Sequence, residues 1–117
     1  MVSKVLLVLL ALCSGVAAQI HFVDAPSFST GGAAAVAVAV GDVNGDGILD
    51  IVAVNQTDST VSVLLGLGHG AYSTPHTYAT GMQPDSIVLA DFNGDGHLDI
   101  AVANSLGSSV IVVLIPC

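Results

Sequence analysis

The hydrophobic residues of the chain lie in short runs of four to six residues, and most runs are followed by residues that favour turns. The runs are rich in Val and Ile, and they are too short and too often broken by Gly to form helices. We therefore predict strands at residues 35–40, 49–54, 61–65, 76–79, 86–90, 98–103 and 110–115. A strand about every ten residues, linked by turns, is typical of an antiparallel meander. The Gly-rich stretch at residues 66–70 is predicted to be a flexible connection.

Both faces of these strands are apolar. In the first strand Val38 and Val40 alternate with Ala37 and Ala39, so one face is bulky and the other is small. The strands of a sheet with one solvent-exposed face would alternate apolar with polar residues. The pattern indicates sheets covered on both sides, as in stacked blades. Two units can cover each other only once, so we expect two apolar faces to stay open.

The chain contains an internal repeat with an offset of 49 residues. Residues 42–51 return as residues 91–100, and the following apolar runs recur at the same offset. Residues 28–31 correspond to residues 78–81 with a slip of one position. We interpret residues 19–32 as the strand remnant of a preceding unit, 33–81 as the first repeat and 82–117 as a second repeat that stops after its third strand.

Each repeat carries an acidic loop with Asp at positions 1, 5 and 9 and Asn at position 3. Three carboxylates in one pocket repel one another, and Lys4 is the only basic residue of the chain. Oxygen ligands select hard cations, and Ca²⁺ suits such a loop better than Mg²⁺. The competing interpretation is a hairpin turn with Asp placed for solubility, but the repetition of every oxygen position favours a metal. An EF-hand is excluded because position 12 is Ala53 or Val102 rather than Glu.

The motif D-x-N-G-D-G-x-L-D-[IV], together with the Gly-rich residues 67–72, resembles the FG-GAP/VCBS repeat of secreted proteins and integrin α-subunits. The resemblance implies an all-β fold of antiparallel four-stranded meander blades of β-propeller type. Only about two blades are present, so the propeller is incomplete. The resemblance also implies two calcium sites. The implied ligands are Asp42, Asn44, Asp46, the Ile48 carbonyl and Asp50 at the first site, and Asp91, Asn93, Asp95, the His97 carbonyl and Asp99 at the second.

The N-terminal residues 1–18 have the pattern of a secretory signal peptide, with Lys4 before an apolar centre and small residues at 16–18. Without Lys4 the net charge of −8 becomes −9, since no basic residue remains. This charge excludes a nucleic-acid partner bound through a basic surface and attraction to anionic membranes. No apolar run after the signal is long enough for a membrane span. We therefore expect a secreted protein.

Neither a catalytic motif nor zinc-like spacing of the four His residues is present. We expect no enzyme but a secreted calcium-binding repeat module with a structural, adhesion, or protein- or glycan-recognition role. Exposed blade faces are expected to favour self-association. The alternatives are a non-catalytic fragment of a larger secreted enzyme and a truncated gene product without independent function. Glycosylation of the sequon at Asn55 and pairing of Cys117 stay open.

Overall fold

The computed structural model describes residues 25–115, and these form nine strands and no helix. The described part of the chain therefore holds no helix that could span a membrane. The predicted signal peptide, residues 19–24 and Cys117 lie outside the described residues. The strands are β1 (Ala35–Gly41), β2 (Asp50–Asn55), β3 (Thr60–Leu64), β4 (Gly66–Gly68), β5 (Ala71–Tyr72), β6 (His76–Ala79), β7 (Pro84–Ala90), β8 (Asp99–Asn104) and β9 (Ser109–Val113).

The strands form two blades and one small hairpin, all antiparallel. Blade one has the order β1-β2-β3-β6, and blade two has the order β7-β8-β9. Strands β4 and β5 form the hairpin between β3 and β6. The prediction of an all-β, incomplete propeller-type fold is confirmed, because the sheets formed by residues 25–115 are antiparallel and do not close into a ring.

All seven predicted strands are present, with ends displaced by at most two residues, and β6 has the predicted bounds. The prediction of a flexible connection at residues 66–70 is wrong, because this stretch supplies β4 and the turn of the hairpin. His69 and Gly70 both have positive φ angles, of 56° and 77°. They reverse the chain so that β4 pairs with β5.

Residues 25–32 lie before β1 and form no strand, although the repeat pattern predicts a strand remnant there. The corresponding strand of the next unit, β6, is held by pairing with β3 of the same blade. Within the described residues no blade precedes residues 25–32, so they have no third strand of a preceding blade to pair with. Phe28 packs edge-on against Tyr72, with ring centroids 5.0 Å apart.

The hydrophobic core is the contact between the two blades. The pairs Val52–Val63 and Val54–Val61 lie directly opposite each other in blade one and so share one face. That face packs against a face of blade two that is formed by Ile87, Leu89, Ile100, Val102, Ile111 and Val113. Each fully buried aliphatic side chain stabilises the fold by about 1.5–3 kcal/mol.

Gly41 at the end of β1 allows the blades to approach closely. A Cβ atom at this position would lie 2.9 Å from Cδ1 of Leu98 and 3.0 Å from Cδ1 of Leu89. On the opposite sides of the two blades, Val38 of blade one and Val110 of blade two are among the most exposed hydrophobic residues, as the sequence predicts. The side of blade one is open only along β1, because Ala53, Ser62 and Leu64 on the same side are buried.

Candidate metal centre

The two acidic loops occupy equivalent places, since loop one (residues 42–49) joins β1 to β2 and loop two (residues 91–98) joins β7 to β8. Gly45 and Gly47 have φ angles of 77° and 83°, and Gly94 and Gly96 have 78° and 88°. These angles lie in the left-handed region, which glycine adopts without the steric cost of a Cβ atom. The glycines therefore wrap each loop so that its backbone N–H groups point at its first aspartate.

The first aspartate of each loop accepts three backbone hydrogen bonds. The Asp42 carboxylate accepts from the N–H groups of Gly45 (2.7 Å), Asp46 (3.1 Å) and Gly47 (2.7 Å). The pKa of Asp42 is below its ordinary value, chiefly because the N–H of Gly47 donates to the carboxylate. Desolvation of the carboxylate opposes this shift. These bonds stabilise the ionised form of the carboxylate.

In loop two, Asp91 repeats this arrangement with bonds of 2.8, 3.2 and 2.8 Å from Gly94, Asp95 and Gly96. Its pKa is also below the ordinary value, chiefly because of the Gly96 N–H.

Positions 3, 5 and 7 of each loop are linked to one another. In loop one the Asn44 Nδ2 donates to Asp46 (3.2 Å), and the N–H of Ile48 donates to the same carboxylate (2.9 Å). In loop two Asn93 and His97 make the equivalent bonds to Asp95, at 3.3 and 2.9 Å. The carboxylates are thus held in place by donors within their own loops. The assignment of the Ile48 and His97 carbonyls as ligands stays a prediction.

The ninth position has a role that the sequence analysis missed. Asp50 is fully buried, and its carboxylate accepts hydrogen bonds from the N–H groups of Val43 (2.8 Å) and Gly66 (2.7 Å). The carboxylate therefore connects loop one to the end of the third strand, 16 residues further along the chain.

Asp99 makes the same connection in blade two. It is fully buried and accepts from Phe92 (3.0 Å) and Ile115 (3.1 Å). Gly66 and Ile115 are 49 residues apart but chemically unlike, so sequence similarity gave no signal for this shared contact.

The second loop brings its three aspartates together. Asp91, Asp95 and Asp99 each offer a carboxylate oxygen, and these oxygens lie within 4.8 Å of one another. The carboxylates of loop one form no equivalent group at this spacing, although residues 42–50 are all described. With Lys4 as the only basic residue of the chain, no Lys or Arg in residues 25–115 offsets this charge. The donor set fits a hard cation.

The two loops lie next to each other. An added Cβ atom on Gly45 would be 3.3 Å from Cε1 of His97, so the imidazole of loop two reaches the backbone of loop one. The six loop aspartates are therefore concentrated in one region of the molecule, where bound cations would reduce repulsion between loops as well as within them.

The sequon residue Asn55 is fully buried in the folded domain. Its Nδ2 donates to Ser62 Oγ (2.7 Å) and Thr60 Oγ1 (3.1 Å). Asn104, which lacks a sequon, is buried in the same way and donates to Ser109 Oγ at 3.3 Å. Both amides hold the turn between two strands, and the folded domain leaves no room for a glycan on Asn55.

The fold and the paired loops define an all-β repeat protein built of propeller-type blades. Residues 42–102 match the family model described as FG-GAP-like repeat, and the chain belongs to this family. The matched segment begins at the first residue of loop one and ends within β8. No curated protein and no solved structure shows significant similarity to the chain.

Proposed function

We propose that this chain is a secreted, non-catalytic repeat module that binds two calcium ions through its acidic loops and acts by binding a protein or glycan ligand. The observation that carries the proposal is the convergence of Asp91, Asp95 and Asp99 on one point in a chain with a single basic residue. Carboxylates packed this closely without a cation repel one another.

The choice of calcium rests on the chemistry of the donors. The loops offer carboxylate and amide oxygens, which are ligands for hard cations, and their Gly-rich backbone tolerates the larger and less regular coordination shell of Ca²⁺. Bound ions would be structural, since each loop joins the first two strands of its blade. Extracellular sites of this kind bind with a Kd on the order of 10⁻⁴–10⁻³ M.

Isothermal titration calorimetry with calcium tests the metal sites. We expect two sites in the native chain and one in Asp95→Ala, because this substitution removes a central carboxylate of loop two. Asp85→Ala is the matched control, since Asp85 is exposed, lies outside both loops and carries the same charge. Two sites in Asp95→Ala, or none in the native chain at millimolar calcium, would contradict the proposal.

The ligand-binding role is tested by probing glycan and protein arrays with the purified chain, in calcium and in a chelator. We expect a signal that requires calcium and is weakened in Asp95→Ala. Equal signals in calcium and chelator would contradict a calcium-supported binding role.

A further inference from the structure

The contact between the two blades joins two different faces. In blade one, the side that carries Ala39, Val52 and Val61 is called the front face. The side that carries Val38 and Val40 is called the back face. At the offset of 49 the front face of blade two consists of Ser86, Val88, Ala101, Ala103, Val110 and Val112. In the core the front of blade one packs on the back of blade two.

The back of blade one and the front of blade two are the other two members of the same pairing. The back of blade one is open along β1, whereas Ala53, Ser62 and Leu64 of that face are buried. On the back of blade one, Val38 is 63% exposed, whereas the equivalent Ile87 of blade two packs against the core. On the front of blade two, Val110 is 66% exposed, whereas the equivalent Val61 is fully buried. A second copy could therefore repeat the existing contact by placing the back of its blade one on the front of blade two.

Neighbouring residues support this repetition. In the existing contact Leu98 and Leu89 of blade two pack around Gly41 of blade one. The equivalents of the two leucines in blade one, Leu49 and Val40, are both exposed. They would meet Ala90 at the position of Gly41, and the Cβ atom of Ala90 requires the facing side chains to shift, since a Cβ atom on Gly41 would lie 2.9 Å from Leu98 Cδ1. The residues that form the two open faces carry no charge, so the acidic chain presents neutral surfaces there.

Among residues 25–115, blade two has no fourth strand at its outer edge. In blade one the third strand pairs with β6, with Val61 opposite Tyr78 and Thr60 opposite Ala79. In blade two the third strand, β9, is the outer strand of the sheet among the described residues. An open strand edge of this kind offers unpaired backbone groups to another chain.

Residues 25–32 have the sequence of such a strand. The stretch Phe28-Ser29-Thr30-Gly31 corresponds to Tyr78-Ala79-Thr80-Gly81, and it precedes β1 as β6 precedes β7. The copy that offers the back of its blade one therefore also brings a fourth strand toward the same neighbour. The register of β3 and β6, transferred to this pairing, places Phe28 opposite Val110 and Ser29 opposite Ser109.

We propose that copies of this chain associate head to tail, with residues 25–32 and the back of blade one from one copy completing blade two of the next. The contact is heterologous, so it generates a ring if the rotation between copies closes. Propellers have about four to eight blades, which corresponds to two, three or four copies of two blades each. The interaction does not depend on the proposed metal sites.

Sedimentation analysis of two variants and their mixture tests the pairing. Val38→Asp places a charge only on the back of blade one, and Val110→Asp places a charge only on the front of blade two. Both side chains are exposed, so each variant should keep the circular dichroism spectrum of the native chain. We expect oligomers in the native chain, monomers in each variant and a dimer of twice the monomer mass in the equimolar mixture, because one intact contact remains. Thr57→Asp, in an exposed turn, is the control that should stay oligomeric.

A native chain that remains monomeric at high concentration would overturn the proposal. So would a mixture that remains monomeric, because only a contact between two different faces is restored by mixing.

A disulfide test examines the donated strand. In chains that carry Cys13→Ser and Cys117→Ser, Ser29→Cys of one copy should cross-link to Ser109→Cys of another, because directly opposed strand residues have Cβ atoms about 4.5–5.5 Å apart. Ser105→Cys lies in the exposed turn before β9 and should not cross-link to Ser29→Cys. Equal yields for the two pairs, including no product from either, would overturn the register.

Discussion

The two blades have nearly the same loops but very different faces. The hydrogen bonds within loop one and loop two agree to within 0.1 Å, as in the Gly47–Asp42 and Gly96–Asp91 contacts of 2.7 and 2.8 Å. The equivalent valines Val61 and Val110, in contrast, are 0% and 66% exposed. The loop is a local structure that its own glycines and aspartates determine. The burial of a strand depends on which blade lies beside it.

The comparison also separates two kinds of contact made by the acidic residues. The first and fifth positions bond within their own loop, and these contacts are the same in both blades. The ninth position bonds to the end of the third strand, at 2.7 Å in blade one and 3.1 Å in blade two. Among the described residues, the shorter contact lies in the blade that has a fourth strand and a hairpin.

The largest expected difference between the blades concerns the front faces. Val61→Asp places a carboxylate in the core, which costs several kcal/mol or more when the charge has no partner, so we expect loss of the folded domain. Val110→Asp changes an exposed side chain and should leave monomer stability within about 0.5 kcal/mol. Chemical denaturation at low protein concentration, followed by circular dichroism, measures both. Similar losses of stability in the two variants would contradict the asymmetry.

A smaller effect is expected at the buried anchors. Asp50→Ala leaves the N–H groups of Val43 and Gly66 without their acceptor, which costs about 1–3 kcal/mol for each buried group. Asp99→Ala should cost less, because its bonds are longer and Ile115 is only partly buried. The free energies of unfolding of the two variants in chelator test this order. Greater destabilisation by Asp99→Ala would contradict the order that bond length and burial predict.

The smallest expected effect is a pH dependence that the two loops share. Backbone N–H groups lower the folded-state pKa of Asp42 and Asp91, so the stability they contribute is present above the unfolded-state pKa of about 3.9. That contribution is lost as the pH falls through the lower folded-state values. Carboxyl titration by nuclear magnetic resonance, in the metal-free chain, should give a pKa below 3.9 for both residues. A value at or above 3.9 for either would show that its loop is not ordered without metal.

Much of the fold could be predicted from the sequence because its signals are local. Runs of Val and Ile between turn residues locate the strands of both blades, and the glycines of the acidic loops have the positive φ angles that wrapping requires. The hairpin of β4 and β5 escaped prediction because its strands have only three and two residues and are rich in Gly.

The candidate site was predictable only in part. Its acidic positions follow from the motif, and the structure brings those of loop two together. The anchoring role of Asp50 and Asp99 was not predictable, because their partners lie 16 residues away and differ in type. The burial of Asn55 was also not predictable. A sequon on a predicted turn does not indicate that the Asn55 amide donates to Ser62 inside the blade.

The most direct test of the calcium assignment is the anomalous diffraction of crystals grown in millimolar calcium. We expect two calcium peaks, one among Asp42, Asp46 and Asp50 and one among Asp91, Asp95 and Asp99. Ordered loops without an anomalous peak at either position would contradict the claim that these carboxylates hold metal ions.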